Sequence, residues 1–304
     1  MNTAKVLHSP QSSVGIAETI KLLFLQLRPK QWTKNLLVFA AVIFSFQKIT
    51  TADIVHNIAA FFLFAFVSGC VYILNDYMDI EADKLHPEKK YRPMASGRLN
   101  PKLALSTGVV LLTGSLYVSY WLHPLFLLVL ATYFTLNVLY SIKLKHIVIL
   151  DIMIIAAGFV FRALAGGLVI NVIFTPWFLI CTMLLALFLA IGKRRHELIL
   201  LQEKKGSHRK VLEHYSTDML DQMSSIVTAA TIMSYSLFTF SSGHTIQLMW
   251  TIPFVIYGIF RYLYLIHIMR KGGKPEEVLL QDKGILTTVV LFGISVIMIL
   301  YYFD

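Results

Sequence analysis

Long apolar runs recur along the whole chain and leave it one class of fold. Stretches able to cross about 30 Å of hydrocarbon run from Ile54 to Leu74, Leu103 to Tyr120, Leu125 to Tyr140, Ile147 to Ile170, Trp177 to Ile191, Ile226 to Phe240, Met249 to Ile268 and Ile285 to Tyr302. A ninth, shorter run from Leu36 to Phe46 can be lengthened by the amphipathic stretch Ile16 to Leu27 and the turn at Pro29. With 57% hydrophobic and 14% charged residues and a mean hydropathy of +0.68, a soluble domain of this length is excluded. The expectation is an all-α polytopic membrane protein of about nine transmembrane helices. No tandem repeat, linker or low-complexity segment divides it, so residues 1–304 read as one domain, with 1–17 a flexible tail. Met1 to Gly15 is polar and lacks the apolar centre of a cleavable signal.

Basic residues orient the spans. Of 27 Lys and Arg, 24 fall on alternate connections, against Lys48 alone on the other side. The positive-inside rule makes those connections cytoplasmic, together with the N-terminus, in a multi-pass protein of the cell membrane. The net charge of +10 points to anionic lipid heads or anionic substrates. Charge spread over membrane loops is a poor fit to nucleic acid.

At the cytoplasmic end of the second span stand Asn75-Asp76-Tyr77-Met78-Asp79-Ile80-Glu81-Ala82-Asp83. At about 100° per residue, Asp76, Asp79 and Asp83 share one stripe of a helix with Asn75 at its margin, while Glu81 points away. Carboxylates so close repel each other unless a cation sits among them, and hard oxygen ligands favour Mg²⁺ with phosphate oxygens as its further partners. The bland alternative is a solvated acidic helix end.

Charges inside the spans are costly and need partners or a wet cavity. Arg162 interrupts the fifth span; Asp151 lies eleven residues away on the same helix, beyond side-chain reach, so a role in anion binding is favoured. Arg261 either faces the cavity or snorkels to the interface. Lysines and arginines gather on the same rim as the carboxylates, in Tyr140-Ser141-Ile142-Lys143-Leu144-Lys145-His146 and in Gly192-Lys193-Arg194-Arg195-His196-Glu197. Cys70 and Cys181 read as packing residues, the histidines lack metal-ligand spacing, and Gly158, Gly166 and Gly167 mark close helix packing.

Together, the acidic stripe, Arg92-Pro93-Met94-Ala95-Ser96-Gly97, and Tyr140-Ser141 with Lys143 and Lys145 resemble the UbiA-type membrane prenyltransferase superfamily over nearly the whole chain. The resemblance implies helices around a central cavity that opens sideways to lipid under cytoplasmic cap loops, with Mg²⁺ holding a diphosphate. Arg28-Pro29-Lys30-Gln31-Trp32-Thr33-Lys34-Asn35, Leu144-Lys145-His146, Gly158 to Gly167, Gly192-Lys193-Arg194 and Pro275 to Leu280 resemble the decaprenyl-phosphate phosphoribosyltransferase branch more narrowly. That branch implies phosphoribosyl pyrophosphate as donor and a polyprenyl phosphate as acceptor, and it permits a homo-oligomer. Prenyltransferases with aromatic acceptors usually carry a second Asp-rich motif after the sixth span. Here that segment opens on Lys193, Arg194, Arg195 and Glu197, and Asp218 and Asp221 form an Asp-x-x-Asp pair nearer the seventh span without the companion pattern.

The expected site therefore has Asp76, Asp79, Asp83 and Asn75 on Mg²⁺. Lys34, Lys143, Lys145, Arg162 and Lys193 would hold phosphates, and Arg28, Asn35, Arg92 and Tyr140 would support them. A prenyltransferase acting on an aromatic or isoprenoid acceptor is the second reading. A transporter is disfavoured, because the charges cluster at one rim and no inverted repeat is visible.

Overall fold

A computed structural model describes residues 15–86, 88–203, 210–270, 273 and 275–304. The helices are α1 (Ile16–Gln26), α2 (Ala40–Phe44), α3 (Thr51–Met78), α4 (Ile80–Leu85), α5 (Pro101–Leu122) and α6 (Pro124–Ile142), followed by α7 (Leu150–Val169), α8 (Pro176–Glu203), α9 (Thr217–Ser241), α10 (Ile252–His267), α11 (Pro275–Gln281) and α12 (Lys283–Phe303). Among the described residues, eight helices are long and apolar enough to cross a membrane: α3, α5 to α9, α10 with the turn before it, and α12. Of the expected tail, residues 1–14 lie outside the described residues, and α1 begins at Ile16, inside the stretch expected to be tail.

The ninth run is not one α-helix. Pro29–Phe39 is a 3₁₀ helix, Ala40–Phe44 a short α-helix and Phe46–Lys48 a second 3₁₀ turn. At about 1.5–2 Å of rise per residue these twenty residues reach across roughly 30 Å. Their ends show that they do so: Arg28 bonds Asp76 at the end of α3, and Gln47 bonds the Leu300 carbonyl near the end of α12. Gly166 on α7 explains the close fit, since a Cβ there would sit 1.8 Å from the Val38 carbonyl oxygen. Asn57 on α3 donates to the Gly166 carbonyl at 3.0 Å, so three segments meet at one small residue.

Helix boundaries follow local chemistry. Thr50 and Asp53 form a reciprocal capping box at the start of α3, Asn100 caps α5 ahead of Pro101, and Ser216 caps α9. The helix α8 runs on to Glu203, so Lys193 to Glu197, expected in a loop, are helical. Gly192 does not break it, because its missing side chain admits Ile266 and Tyr262 of α10. The segments α3 and α7 bury more than half of their most apolar stretches, whereas α5 and α12 turn Val109, Val110, Tyr117, Trp121, Val289 and Ile294 outward. Such continuous apolar surface suits lipid. Arg261 is not among the residues lining the central cavity: it borders a separate, open pocket on α10 and pairs at 3.0 Å with Asp282, the residue that also caps α12. That bond lowers the Asp282 pKa.

Gly166→Ala is expected to cost about 1–3 kcal/mol, because the obstacle is backbone, whereas Gly114→Ala, with nothing within 4 Å of the added carbon, should be neutral or slightly stabilising. Thermal unfolding in detergent checks both, and an unshifted midpoint for Gly166→Ala would contradict the contact.

Candidate active site

The acidic stripe sits where α3 gives way to α4. Asp79 interrupts the helix for one residue, yet its N–H still donates to the Asn75 carbonyl (3.0 Å) and its carbonyl accepts from the Asp83 N–H (2.8 Å), which keeps the helical spacing. Asp76 and Asp83 are both buried, at 3% and 2% exposure. Two buried like charges need neutralising, and Arg92 does it: its Nη1 donates to Asp76 Oδ1 at 2.9 Å and to Asp83 Oδ2 at 2.6 Å. Arg28 Nη2 adds a second cation on Asp76 Oδ1 at 2.5 Å, and Gln26 Nε2 donates to Oδ2 at 2.7 Å. Asp79 instead accepts from Asn75 Nδ2 at 3.2 Å. Glu81 faces outward, as expected, and pairs with Lys84.

The expected convergence of three carboxylates is thus corrected to two carboxylates joined by a guanidinium. Among the described residues, no three His, Cys, Asp or Glu side chains are gathered closely enough to hold a metal ion between them.

Beside this cluster lies a cavity of about 540 Å³, reached through Tyr72, one turn before Asp76 on α3. Arg28 stacks on the Tyr72 ring at 4.5 Å, which links the two regions. Lys34, Arg162 and Lys193 line the cavity, and the rest of its described lining is mostly apolar, with Leu36, Leu185 and Leu280 among the exposed wall residues. Arg162 is 5% exposed and held by neutral groups alone. Its Nε donates to Asn35 Oδ1 (2.7 Å), Nη1 to the Gly158 carbonyl (2.7 Å) and Nη2 to the Tyr133 hydroxyl (3.0 Å). The rings of Phe64 and Tyr133 lie 5.0 Å from its guanidinium carbon. Three of five N–H groups are thereby used, and the charge is left uncancelled. An anion in the cavity is its natural complement.

The remaining expectations sort themselves. Asn35 is buried and orients Arg162 without lining the cavity, while Arg28 and Arg92 serve the carboxylates. Lys143 is exposed; Lys145 and Tyr140 are half-buried, and none of the three lines the cavity. Tyr140 lies in the last turn of α6, and Lys143 and Lys145 on the short connection from α6 to α7. Asp221 pairs with Arg195 at 2.6 Å.

Sequence reasoning missed a buried ion pair. Asp151 Oδ2 at the start of α7 lies 2.9 Å from Arg194 Nε on α8, with exposures of 0% and 1%. Glu197 also contacts Arg194. The Tyr215 hydroxyl donates to Asp151 Oδ1 and accepts the Ile149 N–H, both at 2.7 Å. Burial, and next the bond to Asp151, raise the Tyr215 pKa and keep the phenol protonated as donor. The available signal was that Asp151 and Arg194 each stand at the edge of an apolar run. The pair fixes α8, on which the neighbouring Lys193 lines the cavity.

Eight spans, an acidic stripe at one helix end and a cation-lined cavity beside it define a membrane-embedded transferase fold, and comparison names its family. Residues 36–277 match the UbiA prenyltransferase family, to which the chain belongs. It is 35% identical to the decaprenyl-phosphate phosphoribosyltransferase of Mycolicibacterium smegmatis, over 91% of each chain. It is 34% identical to that of Corynebacterium glutamicum, over 90% of this chain and 85% of the relative. The fold is similar to a UbiA homologue from Archaeoglobus fulgidus solved with GPP and Mg²⁺, with a TM-score of 0.70 and 18% identity over 91% of this chain and 99% of that one.

Asp151→Ala removes the buried partner of Arg194, leaving it only the half-buried Glu197, and takes the acceptor from Tyr215; it should cost about 3 kcal/mol. Chemical or thermal unfolding measures it, and Asp218→Ala, at an exposed residue, is the neutral control.

Proposed function

We propose that this protein transfers the 5-phosphoribosyl group of phosphoribosyl pyrophosphate to a polyprenyl phosphate in the membrane, releasing diphosphate. The observation that carries the reading is the cavity in which Lys34, Arg162 and Lys193, from three separate segments, meet apolar walls. Such a lining suits an anion with a hydrocarbon tail. The similarity to decaprenyl-phosphate phosphoribosyltransferases over about nine tenths of the chain supports it. The basic bias of the connections supports a cytoplasmic rim, where a water-soluble donor would be met.

Asp76 and Asp83 are the hard-oxygen pair that would hold Mg²⁺, since they already share one cation, and Asp79 and Asn75 on the intervening turn would join them only by drawing closer. When bound there, Mg²⁺ would stabilise the negative charge of the leaving diphosphate. The chain does the rest. Arg28 and Arg92 stand beside the carboxylates and can take diphosphate oxygens, while Lys34, Arg162 and Lys193 hold the remaining phosphates. The prenyl tail enters past Leu36, Leu185 and Leu280. As the bond from ribose carbon 1 to the diphosphate breaks, its electron pair leaves with the diphosphate. A lone pair on the acceptor phosphate forms the new bond from the opposite face, with inversion. No general base is needed, since a phosphate monoester with a second pKa of about 6 is mostly dianionic at neutral pH.

The alternative is transfer of a prenyl group from a prenyl diphosphate to an aromatic acceptor. Incubating purified protein and Mg²⁺ with phosphoribosyl pyrophosphate and a polyprenyl phosphate, beside a mixture of prenyl diphosphate and hydroxybenzoate, decides between them. A phosphoribosylated lipid is expected only in the first. Asp79→Ala should abolish transfer without loss of folded protein, and undiminished activity would remove the metal role. Arg162→Ala removes charged hydrogen bonds of about 1.5–3 kcal/mol and should raise KM for one phosphate substrate at least tenfold.

A further inference from the structure

The two counter-cations of Asp76 and Asp83 reach solvent to a similar degree, Arg28 at 27% and Arg92 at 25% exposure, but only Arg92 bridges both carboxylates. Met94 and Leu99 are buried at 2% and 1%, and the Ser96 N–H bonds the Arg92 carbonyl at 2.9 Å, so the backbone of the Arg92 loop is anchored. Arg92 is therefore the cation whose side chain, by turning toward solvent, would free both carboxylates at once without moving its backbone. Its single Nη1 occupies the space between the two carboxylates, and Asp76 Oδ1 is shared with Arg28. The charges of two carboxylates and two guanidiniums cancel. A divalent ion added alone would meet a neutral cluster and have to displace a guanidinium that has nowhere to go. A diphosphate supplies that destination, since a guanidinium forks onto phosphate oxygens as readily as onto carboxylate.

We propose that Arg92 is an exchangeable counter-cation of Asp76 and Asp83, released to the oxygens of an arriving diphosphate, so that divalent metal and diphosphate enter the site together. This rests on reading the carboxylates as a metal-diphosphate site, and it assigns Arg92 a positioning role in both states. Metal alone binds weakly, because Arg92 competes for the same two oxygens. With diphosphate the competition ends and Arg92 becomes an additional ligand of the anion.

The test is protein-bound Mn²⁺ measured by equilibrium dialysis on the full chain in detergent, with and without saturating inorganic pyrophosphate. Wild-type protein should retain Mn²⁺ at least about tenfold more tightly with pyrophosphate than without it. Arg92→Gln should tighten Mn²⁺ binding in the absence of pyrophosphate by about tenfold and shrink the pyrophosphate effect, and Arg92→Lys should restore the wild-type pattern. Wild-type binding that ignores pyrophosphate, or an Arg92→Gln protein whose affinity for Mn²⁺ alone is unchanged, overturns the proposal and leaves the transferase reading standing. Retention of no Mn²⁺ by any form in either condition removes the metal site itself and this proposal with it. Should Arg92→Gln fail to fold, the wild-type comparison decides alone.

Discussion

Two carboxylates buried at the end of an apolar bundle must be neutralised, and much of the rim is built around that requirement. Asp76 and Asp83 draw in Arg28 from the start of the first crossing, Gln26 from the end of α1 and Arg92 from the loop after α4. Those three attachments determine where the chain enters the bundle. Arg28 takes a left-handed backbone, φ 54°, as the chain turns from α1 into the 3₁₀ crossing, a strained conformation for a residue with a side chain. Its two contacts, with Asp76 and with the Tyr72 ring, hold it there. One electrostatic demand thus reaches from the site into the backbone of the neighbouring segments.

The protein buries arginine in three ways, and the differences divide structure from function. Arg194 is matched by Asp151 and Glu197, so its charge is cancelled and its work is to lock α7 to α8. Arg92 is matched by carboxylates but lies at an edge. Arg162 is held by an amide oxygen, a carbonyl, a hydroxyl and aromatic faces, none of which removes its charge. A cation stabilised by dipoles alone keeps its attraction for an anion, and in a site of low dielectric that attraction is stronger than in water. Burial alone therefore does not mark a functional arginine; the nature of its partners does.

How far the sequence could be read follows from the range of each interaction. Apolar runs, caps and the acidic stripe are local patterns, and the eight long helices appear where hydropathy places them. The internal geometry of residues 29–48 was not legible, because 3₁₀ and α windings share a hydrophobic pattern and the choice depends on Gly166 of α7 meeting Val38. The extension of α8 past Gly192 was missed for a similar reason: a glycine that reads as punctuation is space for Ile266 and Tyr262. At the site, Arg162 and the carboxylates stood out because charge in an apolar run is costly. Their partners did not, since Asn35 lies 127 residues from Arg162 and Asp76 is reached from both sequence directions.

The balance of charge also separates the proposed reaction from prenyl transfer. A prenyl diphosphate brings one cluster of negative charge to a neutral acceptor. The proposed reaction brings two anions together, a phosphorylated sugar diphosphate and a lipid phosphate, and their mutual repulsion opposes approach before any bond changes. Carboxylates with metal can compensate the diphosphate, but the other phosphates need fixed positive charge of their own. Lys34, Arg162 and Lys193, drawn from the first crossing, α7 and α8, supply that charge around one cavity. Three separate segments contribute one cation each, and the Asp151 to Arg194 pair stiffens the helix that carries the last. On the proposed reading, a second acidic motif in the place of Lys193 would add repulsion beside the acceptor phosphate, and a lysine there suits a reaction between two anions.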